Sequence, residues 1–131
     1  MAYLLDTDWA MHALAGQQRV TSTLARLASG RISVSSITVA ELYEGAFNSA
    51  NPQARLVVFR HFLSPYAVLN LNDGIAEQFA EARAFLRRRG EMIPDLDLMI
   101  GATALYYDLT LLTFNVRHFQ RIPDLTLYQP I

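Results

Sequence analysis

Short apolar segments alternate with helical periodicities along the chain, and turn residues separate them. Tyr3-Leu4-Leu5 is too short for a helix and ends at the polar Asp6-Thr7-Asp8, so it is predicted to be a buried strand. Segments with the same strand-like character are 32–34, 67–71, 110–113 and 126–128. The pattern therefore predicts a sheet of about five short strands.

Helical spacing of apolar residues occupies the segments between these strands. Thr38 and Glu41 have the spacing of a capping box, whereas Asn72 and Gly90 are the predicted N-cap and end of the longest helix. Apolar residues cover nearly the whole circumference of the helix at 98–105, which predicts that it is buried. The predicted helices lie around 9–15, 20–28, 39–46, 52–63, 73–89 and 98–105.

Strand and helix alternate, and the connections are long enough for parallel pairing. The predicted fold class is therefore α/β, with a central parallel sheet and helices on both faces in a three-layer α/β/α arrangement. A length of 131 residues without an internal repeat or polar linker predicts one domain over residues 1–131. In such sheets, ligands bind outside the carboxyl ends of the strands.

Composition removes several classes of chemistry. The chain has no cysteine, which excludes a disulfide scaffold, a zinc–thiolate site and a cysteine nucleophile. All 11 basic residues are arginine, which excludes a Schiff-base or phosphate-binding lysine. No apolar run approaches the roughly 18 residues of a membrane span, and no basic leader precedes Tyr3, so a cytoplasmic protein is expected. A net charge of -1 does not indicate a polyanionic partner.

Acidic side chains stand at predicted strand ends and helix starts. Asp6, Asp8, Glu41 and Asp97 each have a structural explanation as a helix cap or first-turn acid. Gathered at one edge of a sheet, however, carboxylates raise one another's pKa values, and a divalent cation removes that repulsion. An all-oxygen set of this kind suits Mg²⁺, or Mn²⁺, better than zinc. The pattern thus indicates metal-assisted hydrolysis of a nucleic-acid backbone.

Four segments also resemble the motifs of PIN-domain nucleases, and their order and spacing resemble the VapC toxins of bacterial toxin–antitoxin pairs. The segments are Leu4-Leu5-Asp6-Thr7, Ser36-Ile37-Thr38-Val39-Ala40-Glu41-Leu42, Pro94-Asp95-Leu96-Asp97-Leu98-Met99-Ile100-Gly101-Ala102-Thr103-Ala104 and Leu112-Thr113-Phe114-Asn115-Val116-Arg117-His118-Phe119. The resemblance implies that Asp6 and Asp97 are the metal ligands, with Glu41 holding the metal or orienting its water.

The fourth motif departs from the family. Asn115 and His118 stand where the family often has aspartates, so Asn115 is expected to act through water or to position substrate. Asp95, in the turn before Asp97, is expected to cap the following helix instead of binding metal.

Cationic groups are needed near the acids because a carboxylate cluster repels a phosphate chain. Arg117 and His118 follow Asn115 directly, and Arg87 precedes the Asp97 motif by one loop, so these three are the candidate substrate-binding residues. His12, His61 and Trp9 are interpreted as packing residues.

The leading hypothesis is a magnesium-dependent endoribonuclease that cuts RNA with a metal-activated water. The resemblance implies that it is the toxin of a type II pair, held by a cognate VapB-like antitoxin, and a homodimer that assembles further with that antitoxin. Apolar side chains on early helices are candidates for an antitoxin groove, namely Tyr43, Phe47, Phe59 and Phe62.

Two alternatives remain open from the residues alone. Asp6-Thr7-Asp8 after a strand also suits an aspartyl-phosphate phosphatase or phosphotransferase, although the missing lysine and Ala10 argue against it. A catalytically inactive RNA- or protein-binding domain would require the acids to be helix caps and nothing more.

Overall fold

Four parallel strands form one sheet in the computed structural model, which describes residues 1–28 and 30–129. Seven helices surround that sheet within the described residues. The strands are β1 (Ala2–Leu5), β2 (Arg31–Ser35), β3 (Ala67–Leu69) and β4 (Thr110–Leu112). The helices are α1 (Thr7–Leu14), α2 (Gln18–Leu27), α3 (Ser36–Phe47), α4 (Pro52–Leu63), α5 (Asp73–Arg89), α6 (Asp95–Tyr107) and α7 (Val116–Phe119).

The strand order β3-β2-β1-β4 places a reversal of topology beside β1. The chain moves outward from β1 through β2 to β3, and it then returns to add β4 on the other side of β1. Neighbouring strands at such a reversal send their following loops in opposite directions, which opens a crevice at their carboxyl ends. The ends of β1 and β4 therefore border the expected ligand site.

Each face of the sheet carries its own apolar core, because successive strand residues point to opposite sides. Tyr3, Leu5 and Leu112 pack with α1 to α4 on one face. Leu4 and Leu111 pack with α5 to α7 on the other face. The three-layer α/β/α arrangement predicted from the sequence is confirmed, and α6 is buried as predicted.

The predicted strand at 126–128 is wrong. Only one bridge, between Leu111 and Leu127, joins this segment to β4. The segment follows a turn in which Asp124 has a positive φ of 67°, and it pairs with β4 at a single residue. The sheet accordingly has four strands instead of about five.

Helix ends agree with the sequence prediction at α5 but differ at α3. The side chain of Asn72 accepts from the backbone N–H of Ile75, and Gly90 ends α5 in the left-handed conformation. At α3, the cap is Ser35, which accepts from the N–H of Ile37. The predicted Thr38 and Glu41 capping box is wrong because Ser35, the last residue of β2, begins the helix earlier.

Two smaller boundaries also changed. The third strand ends at Leu69 instead of residue 71, and the short helix α7 follows Asn115, where no helix was predicted. None of the described helices is long and apolar enough to cross a bilayer.

Candidate active site

Asp6 lies at the carboxyl end of β1 and is 4% exposed. Its backbone N–H donates to the carbonyl of Leu112 on β4, and its Oδ1 accepts from the N–H of Thr7, so it also caps α1. Its Oδ2 accepts a 2.7 Å hydrogen bond from Thr113 Oγ1. Both carboxylate oxygens of Asp6 are therefore held, Oδ1 by the start of α1 and Oδ2 by the residue that follows β4.

The pKa of Asp6 is raised from 3.8 to about 7, mainly by burial and also by the nearby Asp8 and Asp97 carboxylates. Hydrogen bonds from Thr113 and Thr7 act in the opposite direction. The pKa of Asp8 is also raised by burial. This edge of the sheet therefore concentrates negative charge that the protein's own groups do not neutralise.

Asp8 is fastened to the segment after β4. Its Oδ2 accepts a 2.9 Å hydrogen bond from the backbone N–H of Phe114, whereas its Oδ1 is buried without a partner among the described residues. A buried carboxylate oxygen without a donor is costly unless a cation or water is present. Sequence reasoning treated Asp8 only as one more acid of the edge and did not anticipate this bond.

Glu41 projects from α3 toward the start of α1. Its Oε1 accepts a 2.6 Å hydrogen bond from Thr7 Oγ1, which lies 3.0 Å from Thr38 Oγ1. Glu41 thus contacts the residue next to Asp6 instead of capping its own helix. The Thr7 hydroxyl fixes the direction of this carboxylate, and the Thr38 hydroxyl contacts Thr7 in turn.

Asp97 occupies the first turn of α6, with its side chain 20% exposed. Its Oδ2 accepts a 3.1 Å hydrogen bond from Asn115 Nδ2 and lies 2.9 Å from His118 Nδ1. Asn115 Nδ2 and His118 Nδ1 are themselves 2.7 Å apart. The polar atoms of three predicted site residues therefore meet, with the role of the histidine nitrogen set by its tautomer.

Hard divalent cations suit the donor set at this edge. The carboxylates of Asp6, Asp8 and Asp97 interact electrostatically, and the available ligands are all oxygens apart from the His118 ring. In their present side-chain positions, no three acids or histidines of residues 1–28 and 30–129 converge as a complete metal cage. Asp6, Asp97, Glu41 and Asp8 are the residues that could hold such an ion together with water.

The remaining predicted site residues are spread more widely. Arg117 is exposed on α7, beside His118. Arg87 is exposed on α5, where it lines an open groove with Arg83. Asp95 makes no cap at the start of α6 and instead forms a 3.0 Å ion pair with Arg83 Nε, so the predicted cap is wrong.

Three residues in or beside this site were missed from the sequence. Thr7 and Thr113 lie inside the motifs that resemble the family. Thr7 follows Asp6 directly and Thr113 is two residues before Asn115, and this proximity was the available signal. Arg83 lies one helical turn before Arg87, and nothing in the sequence indicated its pairing with Asp95.

Comparison with known proteins gives a consistent result. A model of the PIN domain matches residues 3–125. Ribonuclease VapC2 of Haemophilus influenzae is 35% identical over 124 residues, which cover 93% of this chain and 92% of the relative. The tRNA(fMet)-specific endonuclease VapC of Salmonella typhimurium is 31% identical over 127 residues, which cover 97% and 96% respectively.

Solved structures agree with these sequence matches. VapBC2 from Rickettsia felis, bound to a DNA fragment from its promoter, superposes with a TM-score of 0.93 at 30% identity and covers 98% of each chain. DNA-bound VapBC from Salmonella typhimurium gives 0.91 at 29% identity and covers 98% of this chain and 97% of the other. Nucleases of the PIN family typically depend on a metal ion. The chain belongs to the PIN-domain family and, within it, to the VapC ribonuclease toxins of VapBC toxin–antitoxin systems.

Proposed function

We propose that this chain is a magnesium-dependent endoribonuclease and the toxin of a type II toxin–antitoxin pair, acting in the cytoplasm. The observation that carries the proposal is the buried Asp6 carboxylate, whose pKa is raised to about 7 by burial with Asp8 and Asp97 beside it. A protein keeps such a repulsive arrangement at a functional site when a cation completes it. Family membership makes RNA hydrolysis the corresponding activity.

Asp6 and Asp97 would hold the ion, which is Mg²⁺ by the oxygen donor set and could be replaced by Mn²⁺. The bound ion supplies an activated water and neutralises charge that develops on the phosphodiester. Asp6 is suited to this role because its carboxylate is fixed from both sides, by Thr7 N–H and by Thr113 Oγ1. Preorganised ligands of this kind lose little side-chain entropy when the ion binds.

Glu41 would orient the attacking water. Its Oε1 already accepts a hydrogen bond from the Thr7 hydroxyl, so Oε2 is the oxygen that remains to accept a proton from water. Asn115 and His118 contact Asp97 Oδ2, so we assign them to positioning this carboxylate and the substrate next to it. Asn115 adds no charge to the site, because its side chain is a neutral amide.

The substrate would be single-stranded or loop RNA, cut to leave 5′-phosphate and 3′-hydroxyl ends. Arg117, next to His118 on α7, and Arg87, on the α5 surface, would contact phosphates away from the cleaved bond. Because the Salmonella relative is named as a tRNA(fMet)-specific endonuclease, tRNA(fMet) is the first RNA to test.

A cognate VapB-like antitoxin and a second copy of the chain are the proposed partners. Relatives crystallised as VapBC complexes support this assembly. An apolar groove of about 500 Å³ between α2 and α4 offers a surface for an antitoxin helix, with Leu24, Phe62 and Tyr66 among its lining residues. Of the aromatic residues predicted for such a groove, Phe62 lines it, Phe59 is buried core, and Tyr43 and Phe47 lie outside it.

The test replaces Asp6 or Asp97 with alanine and measures RNA cleavage with Mg²⁺, and growth arrest on expression. Both activities should be lost while the circular dichroism spectrum is retained. Glu44 is an exposed acid one turn beyond Glu41 on α3, so Glu44→Ala is the control for loss of a single carboxylate outside the site and should cut normally. Retained cleavage in Asp97→Ala would refute the site assignment.

The rival functions give different results in the same assays. An aspartyl-phosphate enzyme would label with a phosphoryl donor and release phosphate, but the chain contains no lysine to hold that group. An inactive binding domain would give equal RNA binding and no cleavage in wild type and in both aspartate variants.

A further inference from the structure

An exposed aromatic ring lies between two residues of the acidic edge. Phe114 is 45% exposed, although it lies only two residues after the buried strand β4. Its neighbours Thr113 and Asn115 hydrogen-bond to Asp6 and Asp97 respectively, and its own N–H donates to Asp8. The segment 113–115, with Phe114 at its centre, is therefore bonded to three carboxylates of the proposed metal site.

The Phe114 ring is also held from α1. It stacks on Trp9 with ring centroids 5.2 Å apart and planes 24° apart, and it lies 5.0 Å from the ring of His12. Trp9 is 5% exposed and makes an edge contact with Tyr128, whereas His12 is exposed. The buried Trp9 ring therefore supports an exposed surface that is formed by the rings of Phe114 and His12.

Covering Trp9 does not explain an aromatic residue at position 114. Leucine would shield the same indole while exposing less apolar surface, and loops after strands usually carry polar residues. A rigid π surface beside a phosphodiester-cleaving site has a specific use, because proteins recognise unstacked RNA bases by stacking them on aromatic side chains.

We infer that Phe114, extended by His12, is a stacking platform for the RNA base next to the cleaved phosphodiester. The inference rests on the proposed ribonuclease function. A nucleobase is favoured over an antitoxin side chain because of where the ring lies. Phe114 is one residue from Thr113 and from Asn115, which contact the proposed metal ligands Asp6 and Asp97. An RNA phosphate bound at those ligands would bring a nucleobase to this ring. Stacking accepts any base, so this platform positions RNA without reading its sequence.

The first experiment measures RNA affinity in EDTA, so that no cleavage occurs. The probe is a synthetic single-stranded oligoribonucleotide whose cleavage position has been mapped with wild-type protein and Mg²⁺. Phe114→Leu should weaken binding roughly tenfold, whereas Phe114→Tyr should bind like wild type. Tyr107→Leu is the matched control, because Tyr107 is an exposed aromatic residue at the far end of α6 and should leave affinity unchanged.

Steady-state kinetics and an abasic scan distinguish stacking from a structural role. Phe114→Leu should raise KM about tenfold with little change in kcat, as expected for lost uniform binding. One abasic position beside the cleavage site should weaken binding to wild type by the same factor and cause no further loss in Phe114→Leu. Trp9 is the only tryptophan in the chain, so quenching of its fluorescence by intact RNA but not by that abasic RNA reports the same contact.

Several outcomes would overturn the inference. Unchanged affinity in Phe114→Leu, additive losses at every abasic position, or a fall in kcat without a change in affinity would each do so. Weakened antitoxin neutralisation with normal RNA affinity would assign the surface to the protein partner. A wild-type protein that shows the abasic dependence but cuts no RNA would refute the proposed function and leave the stacking platform intact.

Discussion

Thr113 Oγ1 donates a 2.7 Å hydrogen bond to Asp6 Oδ2 and so joins the ends of the adjacent strands β4 and β1. The same hydroxyl oxygen accepts a 2.9 Å hydrogen bond from the backbone N–H of Asn115. Both side chains in the first bond are buried. One hydroxyl group therefore couples the Asp6 carboxylate to the segment that carries Asn115.

Replacing Thr113 with valine should show what this coupling contributes. The change keeps the side-chain volume but removes the hydroxyl, so we expect unfolding free energy to fall by about 1–3 kcal/mol. The pKa of Asp6 should rise further because a bond that lowers it is lost. Denaturant unfolding and RNA cleavage measure these effects, and Thr113→Ser is the control that should retain both properties. Wild-type values in the valine variant would contradict this role.

The raised pKa of Asp6 also predicts how stability depends on pH. In the unfolded chain this carboxyl titrates near 3.8, and in the folded chain near 7, so the folded state binds more protons between these values. Stability of the metal-free protein should therefore be highest at the acidic end of this window and fall by a few kcal/mol as pH rises toward 7.

Thermal melts in EDTA from about pH 5 to 8 test this dependence. Asp6→Asn should flatten the curve, because the amide does not titrate. Mg²⁺ should raise Tm of the wild-type protein most at the alkaline end, where the carboxylates are charged and can bind it. A metal-free Tm that rises with pH in this window would contradict the prediction.

Much of the fold followed from periodicity, because the helices and the strands β1, β2 and β4 contain buried residues that fix their patterns. The strand at 126–128 failed for a local reason: three residues with strand character were expected to pair, but the turn at Asp124 leaves Leu127 as one bridge to Leu111. The predicted cap of α3 was wrong because Ser35 and Thr38 are both good N-cap residues. The helix begins where β2 ends, at Ser35, and the sequence alone does not show that position.

The candidate site was predictable at the level of which strand ends carry acids, since parallel strands bring their carboxyl ends to one edge. Side-chain partners were not predictable, because they connect residues distant in sequence. Thr7 reaches Glu41 across 34 positions, and Thr113 reaches Asp6 across 107. Such pairs leave no local periodicity to detect.

Thr7 should matter to activity through Glu41. Thr7→Val removes the hydroxyl that donates to Glu41 Oε1 at 2.6 Å, and Thr7→Ser keeps it. We expect the valine variant to cut RNA about tenfold more slowly, because Glu41 loses the bond that fixes its direction, with RNA affinity unchanged. Single-turnover cleavage and binding in EDTA separate the two effects. Equal cleavage by valine and serine variants would show that Glu41 needs no such positioning.

Replacing Asn115 with aspartate should lower the stability of the metal-free protein and raise its affinity for Mg²⁺. The new carboxylate would face Asp97 Oδ2, which Asn115 Nδ2 now contacts at 3.1 Å, so Tm in EDTA at neutral pH should fall by several degrees. Mg²⁺ should restore Tm and bind more tightly than to wild type, since it gains a charged ligand. Titration calorimetry measures the affinity, and Asn115→Ala, which adds no charge, should not show the gain.

Arg117 and Arg87 should contribute to RNA binding through charge. Removing one phosphate contact to single-stranded RNA lowers the slope of log affinity against log salt by about 0.7. We therefore expect Arg117→Gln and Arg87→Gln each to weaken binding at low salt, to the same extent for different RNA sequences, and to reduce this slope.

Arg60→Gln is the matched control for these two variants. Arg60 lies on α4, which packs on the opposite face of the sheet from α5 and α7, and its guanidinium stacks on the Tyr43 ring at 5.3 Å. Its replacement should leave the salt slope unchanged. If Arg87→Gln behaves like Arg60→Gln while Arg117→Gln loses slope, the RNA path is confined to the edge beside α7. If both retain the wild-type slope, neither arginine contacts a phosphate.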